Sequence, residues 1–460
     1  MLTLAYSILF GMWAASYYVV IPMSVNVVVT ATLIVYIGSH RSLRLLATEE
    51  EGGVANADKE VMSTKDAAQF PLVGSCALFG LFLAFKYLDK TTVNLVLGLY
   101  FGFVGIFSMT GTIAPFLTTW ITSTKTYGFK TRELPLVGEI DLQLTPAELV
   151  AMVPATIFSY LYFKTKHFML NNLFGISFCV QSIERISIGS YKIGVILLSG
   201  LFIYDIFWVF GSESIFGSNV MVTVAKSFDG PIKLLFAKTL PGGDIGQALS
   251  SAITNVSNTT MLQSVEYTNE CGKHLNSISG MLRTNDGYNS TTEFAQHMIN
   301  FSTTTDVAVD LFKADANCTS IVQKVMAPIN VVMKGEFSLL GLGDIVIPGF
   351  FVSILLRFDA VNAGIKGLNG EHASFAKPYF HWNIIFYALG LVATLYVMHA
   401  FKAAQPALLY LVPACLGASF IVAFFIERNY KKLVEYNEEN DGEEDDKYTE
   451  KKSVENKKKQ

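Results

Sequence analysis

The sequence predicts an all-α polytopic membrane protein, nine transmembrane helices with a long polar insertion between the sixth and the seventh. Three observations carry that expectation. Of 460 residues, 51% are hydrophobic and 13% aromatic while only 16% are charged, against about 25% charged in soluble domains. The apolar residues gather in blocks as long as the roughly 20 residues that span a bilayer as helix, instead of recurring with an amphipathic period. The one long stretch without such blocks, residues 238–336, is rich in Ser, Thr, Asn and Gly. A water-soluble fold is excluded on these grounds.

In chain order the spans fall at 16–38, 70–89, 93–114, 147–163, 168–183, 191–210, 337–357, 380–399 and 405–426. Residues 2–37 are almost uncharged and too long for one crossing. Pro22 is placed to break the helix, and residues 2–15 then fit an interfacial segment. A cleaved signal peptide is the alternative for that segment, disfavoured because the extreme N-terminus carries no Lys or Arg. The chain therefore divides into helices 1–5 (1–190), the sixth helix with a following amphipathic segment (191–237), the insertion (238–336), helices 7–9 (337–426) and a charged tail (427–460).

Thirty-four basic against 38 acidic residues leave a net charge of −4, and no basic run lies outside the tail, so nucleic acid is not an expected partner. Five cysteines show no CxxC spacing, which excludes a zinc ribbon or a thioredoxin-type motif. Cys76, Cys179 and Cys415 lie in apolar spans and read as small buried hydrophobes. The seven histidines are scattered, mostly near span ends, and suit interfaces or loops better than metal ligation.

Orientation follows from Lys/Arg bias. Arg41 and Arg44 follow the first span, Lys125, Lys130 and Arg132 the third, Arg185 the fifth, Arg357, Lys366 and Lys377 the seventh, and the tail follows the ninth. These loops share one side, which is expected to be cytosolic, with the N-terminus lumenal; Lys164 and Lys166 dissent. The insertion then faces the lumen. It contains the chain's N-glycosylation acceptors: Asn255-Val-Ser257, Asn258-Thr-Thr260, Asn289-Ser-Thr291, Asn300-Phe-Ser302 and Asn317-Cys-Thr319. Cys271 and Cys318, its two cysteines, would suit a lumenal disulfide, although spacing alone does not establish one. The tail is a mixed-charge run ending Lys457-Lys458-Lys459-Gln460. It reads as a solvated segment and resembles the dilysine retrieval signal of endoplasmic-reticulum membrane proteins.

The acids inside the spans are the informative residues, because a charge at mid-bilayer costs at least about 2.5–3.5 kcal/mol and is seldom retained without a function. Asp205 sits in Leu201-Phe-Ile-Tyr204-Asp205-Ile-Phe-Trp208, and Asp344 in Leu339-Leu-Gly341-Leu342-Gly343-Asp344-Ile-Val346. At about 1.5 Å rise per residue their depths below one membrane face are roughly 8 and 10 Å, so antiparallel neighbours bring them level. Two carboxyls held together in such a place share one proton. The ionised partner can take a proton from water while the protonated one polarises a peptide carbonyl. Which of the two holds the proton is left open. Gly341 and Gly343 leave backbone bare enough to pair with an unwound substrate, although close helix packing is an equal explanation. Gln405-Pro406-Ala407-Leu408-Leu409-Tyr410-Leu-Val-Pro413 opens the last span. Pro406 suits a helix start, and as a functional element the segment could leave carbonyls unpaired near the carboxyls.

Tyr204-Asp205, Gly341-Leu342-Gly343-Asp344 and Pro406-Ala407-Leu408 resemble, in order, the YD, GxGD and PAL motifs of the GxGD intramembrane aspartyl proteases. The longer stretches Asn219–Ser227, Gly343–Pro348 and Gln405–Pro413 are similar to the signal peptide peptidase family rather than to the presenilins. The resemblance covers residues 66–430 without the insertion. It implies catalysis by Asp205 and Asp344 without metal or cofactor, substrate contacts from the other motif residues, and cleavage of type II membrane segments such as remnant signal peptides. It implies residence in the endoplasmic-reticulum membrane and leaves a homo-oligomer open. Presenilins are inserted the opposite way up, which the acceptor sites oppose. The long insertion departs from the compact loop expected of the family.

Other intramembrane protease chemistries find no support. The sequence has no HExxH, and Gly417-Ala-Ser419-Phe420 lacks the last glycine of a rhomboid GxSG. A proton-coupled transporter or channel using the same carboxyls is the principal alternative, and a non-enzymatic scaffold the second. Neither explains the joint presence of the three motifs.

Overall fold

The structure, a computed structural model, describes residues 2–46, 60–118, 120–121, 127–130, 141–217, 219–228, 230–239, 336–365, 374–401 and 405–438. The five acceptor asparagines, Cys271 and Cys318, and the end of the tail lie outside the described residues.

Helix α1 (Leu2–Tyr18) is followed by α2 (Met23–Ser42), α3 (Thr64–Tyr87), α4 (Lys90–Leu117), α5 (Pro146–Thr165) and α6 (Phe168–Arg185). Next come α7 (Tyr191–Ile206), which continues through a π-turn (Phe207–Gly211) into α8 (Ser212–Phe216), and the short α9 (Val220–Ser227). The second half holds α10 (Gly343–Asn362), α11 (Pro378–Phe401), α12 (Leu408–Ile421), a second π-turn (Val422–Ile426) and α13 (Tyr430–Glu435). Starts are written locally. Ser63 with Asp66 and Thr145 with Glu148 form reciprocal capping boxes before α3 and α5, and Asp89 accepts the Thr92 amide before α4 at 3.0 Å.

Strands are few. β1 (Glu60–Met62) lies parallel to β4 (Ile186–Ile188), in register Val61 to Ser187. β2 (Tyr127–Lys130) is antiparallel to β3 (Asp141–Leu144), and β5 (Lys233–Thr239) pairs with β6 (Glu336–Gly341).

Among the described residues seven helical segments are long and apolar enough to cross a membrane: Met23–Ser42, Thr64–Tyr87, Lys90–Leu117, Pro146–Thr165, Tyr191–Phe216, Pro378–Phe401 and Leu408–Ile426. Two expected spans differ in composition and one in form. α6 carries Asn171, Asn172, Gln181 and Glu184, and α10 carries Asp344, Arg357 and Asp359. The expected span at 337–357 begins as strand β6 and becomes helical only at Gly343, so Asp344 is the second residue of a helix and its depth does not follow from helical rise. The first span is displaced as well. The chain breaks at 19–22, with Pro22 directly before α2, and residues 2–18 form a helix of their own.

The chain forms two compact units, one of Met1–Trp13, Ser24–Leu235 and Leu339–Gln460, the other of Ala14–Met23 and Phe236–Ser338. The centre of the first unit is α10, buried almost continuously from Ile345 to Ala360. Small residues let neighbours close on it: a Cβ on Gly349 would lie 2.4 Å from Ile183 of α6, and one on Gly194 of α7 would lie 3.0 Å from Phe351. Surrounded by protein instead of lipid, α10 can hold polar groups that a lipid-facing helix cannot.

Those polar groups are paired at one end of the bundle. Arg357, fully buried, pairs with Glu438 at 2.6 Å and donates to Ser42 at 2.9 Å and Ser187 at 3.1 Å. Ser187 donates to the second Glu438 oxygen at 2.6 Å, and the Glu438 amide donates to the Gly189 carbonyl at 2.9 Å. Arg41 pairs with Glu184 at 2.7 Å and donates to the Gly111 carbonyl at 2.8 Å. The ends of α2, α6 and α10 and the start of the tail thus meet, and Arg41 and Arg357 are buried ion-pair partners and not the loop charges that the Lys/Arg count makes of them. Beside them Lys377 donates to His40 at 3.1 Å; burial pushes its ammonium below the usual lysine range, opposed by the nearby Asp359.

Glu438→Ala strands the Arg357 guanidinium inside the bundle and is expected to cost about 3–5 kcal/mol of stability. The double change Arg357→Met with Glu438→Leu removes both charges and should cost clearly less, as read by thermal unfolding in detergent.

Candidate active site

Asp205 lies near the end of α7, where the helix is interrupted. Ser190 caps the start of α7 by accepting the Ile193 amide at 3.3 Å. After 16 helical residues the regular ladder gives way to the π-turn Phe207–Gly211, which begins two residues past Asp205. The turn is pinned: the Trp208 indole donates to Ser75 of α3 at 3.0 Å, and the Ser212 hydroxyl donates to the Trp208 carbonyl at 2.6 Å. α3 comes close because Gly200 faces Pro71, where a Cβ would lie only 2.8 Å from the proline ring. Tyr204, half-buried, faces Gly74 and the Trp208 ring.

The Asp205 carboxyl is 2% exposed, and its Oδ2 accepts the backbone amide of Leu408 at 3.0 Å. That donor is free for a reason written in the motif. Leu408 is the first residue of α12, and the first amides of a helix have no partner within it. The preceding Ala407 has no side-chain oxygen to cap them, and Pro406 has no N–H at all. The Pro406-Ala407-Leu408 element therefore aims an amide at Asp205. The direction of this helix start also favours an acid, while the residues directly upstream, 402–404, whose carbonyls the sequence pointed to, lie outside the described residues.

Asp344 is reached through a strand-to-helix junction. Gly341 ends β6, the Leu342 amide donates to the Ile232 carbonyl at 3.1 Å, and the amides of Ile345 and Val346 return to the Leu342 carbonyl. A Cβ on Gly341 would sit 3.4 Å from the Asp344 Oδ2, so the glycine keeps that side of the carboxyl clear. Gly343 is exposed, and a Cβ there would meet Ile347 only at ordinary contact distance. Asp344 is half-buried. The structure thus brings Asp205 together with Leu408, and Asp344 with Gly341, on the packed helices α7 and α10, with Tyr204 preceding Asp205 and Leu342 turned toward Gly175 of α6.

Several residues around this centre were not legible as site residues. Asn172 of α6 donates to the Leu235 carbonyl at 2.8 Å and accepts the Leu235 amide at 2.8 Å, while Asn171 donates to the Lys233 carbonyl at 2.8 Å. Their amides hold β5 as a neighbouring strand would. The signal was two adjacent asparagines in an otherwise apolar run. Lys233 in turn caps the end of α9 through the carbonyls of Ala225 and Phe228, at 2.5 and 2.9 Å.

Comparison with known proteins matches the family model described as signal peptide peptidase to residues 54–262 and 294–440. The chain belongs to the signal peptide peptidase family. It is 31% identical to human signal peptide peptidase over 408 residues, covering 86% of this chain and 79% of that one, and 32% identical to the mouse protein over 409 residues, with the same shares. A rice relative, signal peptide peptidase-like 1, is 25% identical over 434 residues, 88% and 91% of the two chains. No solved structure matches. The family is one of intramembrane proteases, and the two matched segments take in Tyr204, Asp205, Asp344 and Leu408, together with the asparagines that hold β5.

Asn172→Leu removes both partners of the Leu235 peptide groups. Hydrogen exchange at 233–235 is expected to accelerate at least about tenfold, since one lost buried hydrogen bond is worth about 1 kcal/mol and two are lost here.

Proposed function

We propose that the chain is an intramembrane aspartic endopeptidase that hydrolyses peptide bonds within transmembrane segments, with remnant signal peptides and type II membrane proteins as substrates. The observation that carries this is the buried Asp205 carboxyl held by the Leu408 amide, on a helix packed against α10, which bears Asp344 in its first turn. The ionised carboxyl takes a proton from water, and the water oxygen bonds to the scissile carbonyl carbon. The protonated carboxyl gives its proton to the carbonyl oxygen. Collapse of the tetrahedral gem-diol breaks the C–N bond as a proton passes to the departing nitrogen, leaving one carboxyl protonated for the next cycle.

A peptide bond within a helix is shielded by its own hydrogen bonds, so the substrate has to be unwound, and the freed groups need partners where water is scarce. β6, ending at Gly341, supports pairing with such an extended segment. Contacts to substrate are assigned to Tyr204, Gly341, Leu342, Gly343, Pro406, Ala407 and Leu408.

The chain so read crosses the endoplasmic-reticulum membrane nine times, with its N-terminus lumenal and its C-terminus cytosolic. The clustering of Arg41, Arg44, Glu184, Arg357 and Glu438 at one end supports the shared sidedness of those segments. The insertion is then lumenal, with Asn255, Asn258, Asn289, Asn300 and Asn317 open to glycosylation.

Purified protein is expected to cut a signal peptide within its apolar core, and Asp205→Ala and Asp344→Ala to abolish cutting while folding and insertion persist. A folded wild type that is inert, or an alanine variant that still cuts, defeats the proposal. Proton flux into vesicles without cleavage would favour the transporter. Because only the singly protonated pair is competent, the rate should fall at both low and high pH. Treatment with a glycosidase should shift gel mobility; an unshifted band removes the support that the acceptor sites give to orientation.

A further inference from the structure

In a helix the carbonyl of each residue accepts the amide hydrogen of the residue four positions on. For Asp344 that position is Pro348, which has no amide hydrogen and whose ring crowds the same carbonyl. The interruption falls on the peptide group that carries the Asp344 side chain. A donor arrives from outside the helix: the hydroxyl of Tyr387, on α11, lies 3.3 Å from the Asp344 carbonyl oxygen. Tyr387 is fully buried. The titratable groups facing it are Asp344, Cys179 and Cys415, and thiols are weak hydrogen-bond partners.

We infer that Tyr387 is a positioning residue for Asp344, its hydroxyl standing in for the amide that Pro348 cannot offer. The inference rests on the proposed role of Asp205 and Asp344. Proline opens the first turn of α10, and the phenol fixes the peptide plane so opened, which sets the direction of the Asp344 Cα–Cβ bond toward Asp205. Without the hydroxyl the carbonyl is left without its donor in a dry site, and the first turn is free to swivel. Reacting groups tolerate displacements of only about 0.5 Å, so the loss should appear in the chemical step and not in substrate binding.

The experiment uses the full chain in detergent with a fluorogenic transmembrane peptide, comparing wild type, Tyr387→Phe, Pro348→Ala and the double variant. Tyr387→Phe is expected to lower kcat about tenfold, the order of one hydrogen bond to a strained site, while KM and the unfolding temperature hold. Pro348→Ala restores an amide at 348, and in that background Tyr387→Phe should change kcat by less than about twofold. Equal losses in both backgrounds, an unchanged kcat in Tyr387→Phe, or a loss that follows unfolding overturns the inference. Should Pro348→Ala not fold, inhibitor binding decides. Tyr387→Phe should weaken a hydroxyethylene transition-state mimic about tenfold and leave a helical substrate-like peptide unaffected; equal effects on both overturn it. Asp344→Ala separates the two layers. If that variant still cuts, the protease proposal fails and the tyrosine role with it; if it is inert while Tyr387→Phe is fully active, only the tyrosine role fails.

Discussion

A carboxyl buried among apolar helices has to receive its hydrogen-bond donors from the protein, since little water reaches it. Asp205 meets that requirement through one bond, from the amide of Leu408. The bond ties the end of α7 to the beginning of α12, two elements some two hundred positions apart in the chain. It exists only because α12 starts where it does, on a proline and an alanine that can neither use nor cap the amide themselves. A side-chain donor could rotate away; a backbone amide at the first turn of a packed helix cannot.

The interruptions of regular structure cluster around the same place, and each frees or redirects backbone groups. α7 loosens into a π-turn after Asp205. β6 turns into α10 at Gly343, so that Asp344 stands at a junction and not in mid-helix. Pro348 withdraws a donor one turn later, and α12 begins beside Asp205. Water satisfies such orphan groups at a protein surface. Here they find protein partners: Ser212 at the π-turn, Ile232 at the junction and Tyr387 at the proline. Irregular backbone at membrane depth is tolerated where protein surrounds it, and α10 is enclosed along nearly its whole length.

Enclosure also accounts for the charges. Arg357 on α10 and Arg41 on α2 are completely or almost completely buried, and each has an acid partner with further oxygens around its guanidinium. The Arg357 pair fastens the first described part of the tail to the helix that carries Asp344 in its first turn. Small residues at Gly38, Gly194 and Gly349 allow the helices close enough for this pairing.

The helical class and most span positions were determined by the sequence alone, because apolar blocks of bilayer length are local patterns; the acids within them and the three short motifs, local as well, nominated the candidate site. Asn171, Asn172 and Tyr387 gave no comparable sign; an asparagine clamping a strand and a tyrosine replacing a proline's missing donor are pairings between distant segments, and no local period encodes them. Nor did the apolar run from 337 reveal that its opening is a strand, since a short apolar stretch fits either state until a partner strand takes its backbone bonds. Tertiary structure decided which amide reaches Asp205, which helix is enclosed and therefore free to carry charge, and which arginines are buried, because each of these depends on what lies across the packing interface and not on what lies next in the chain.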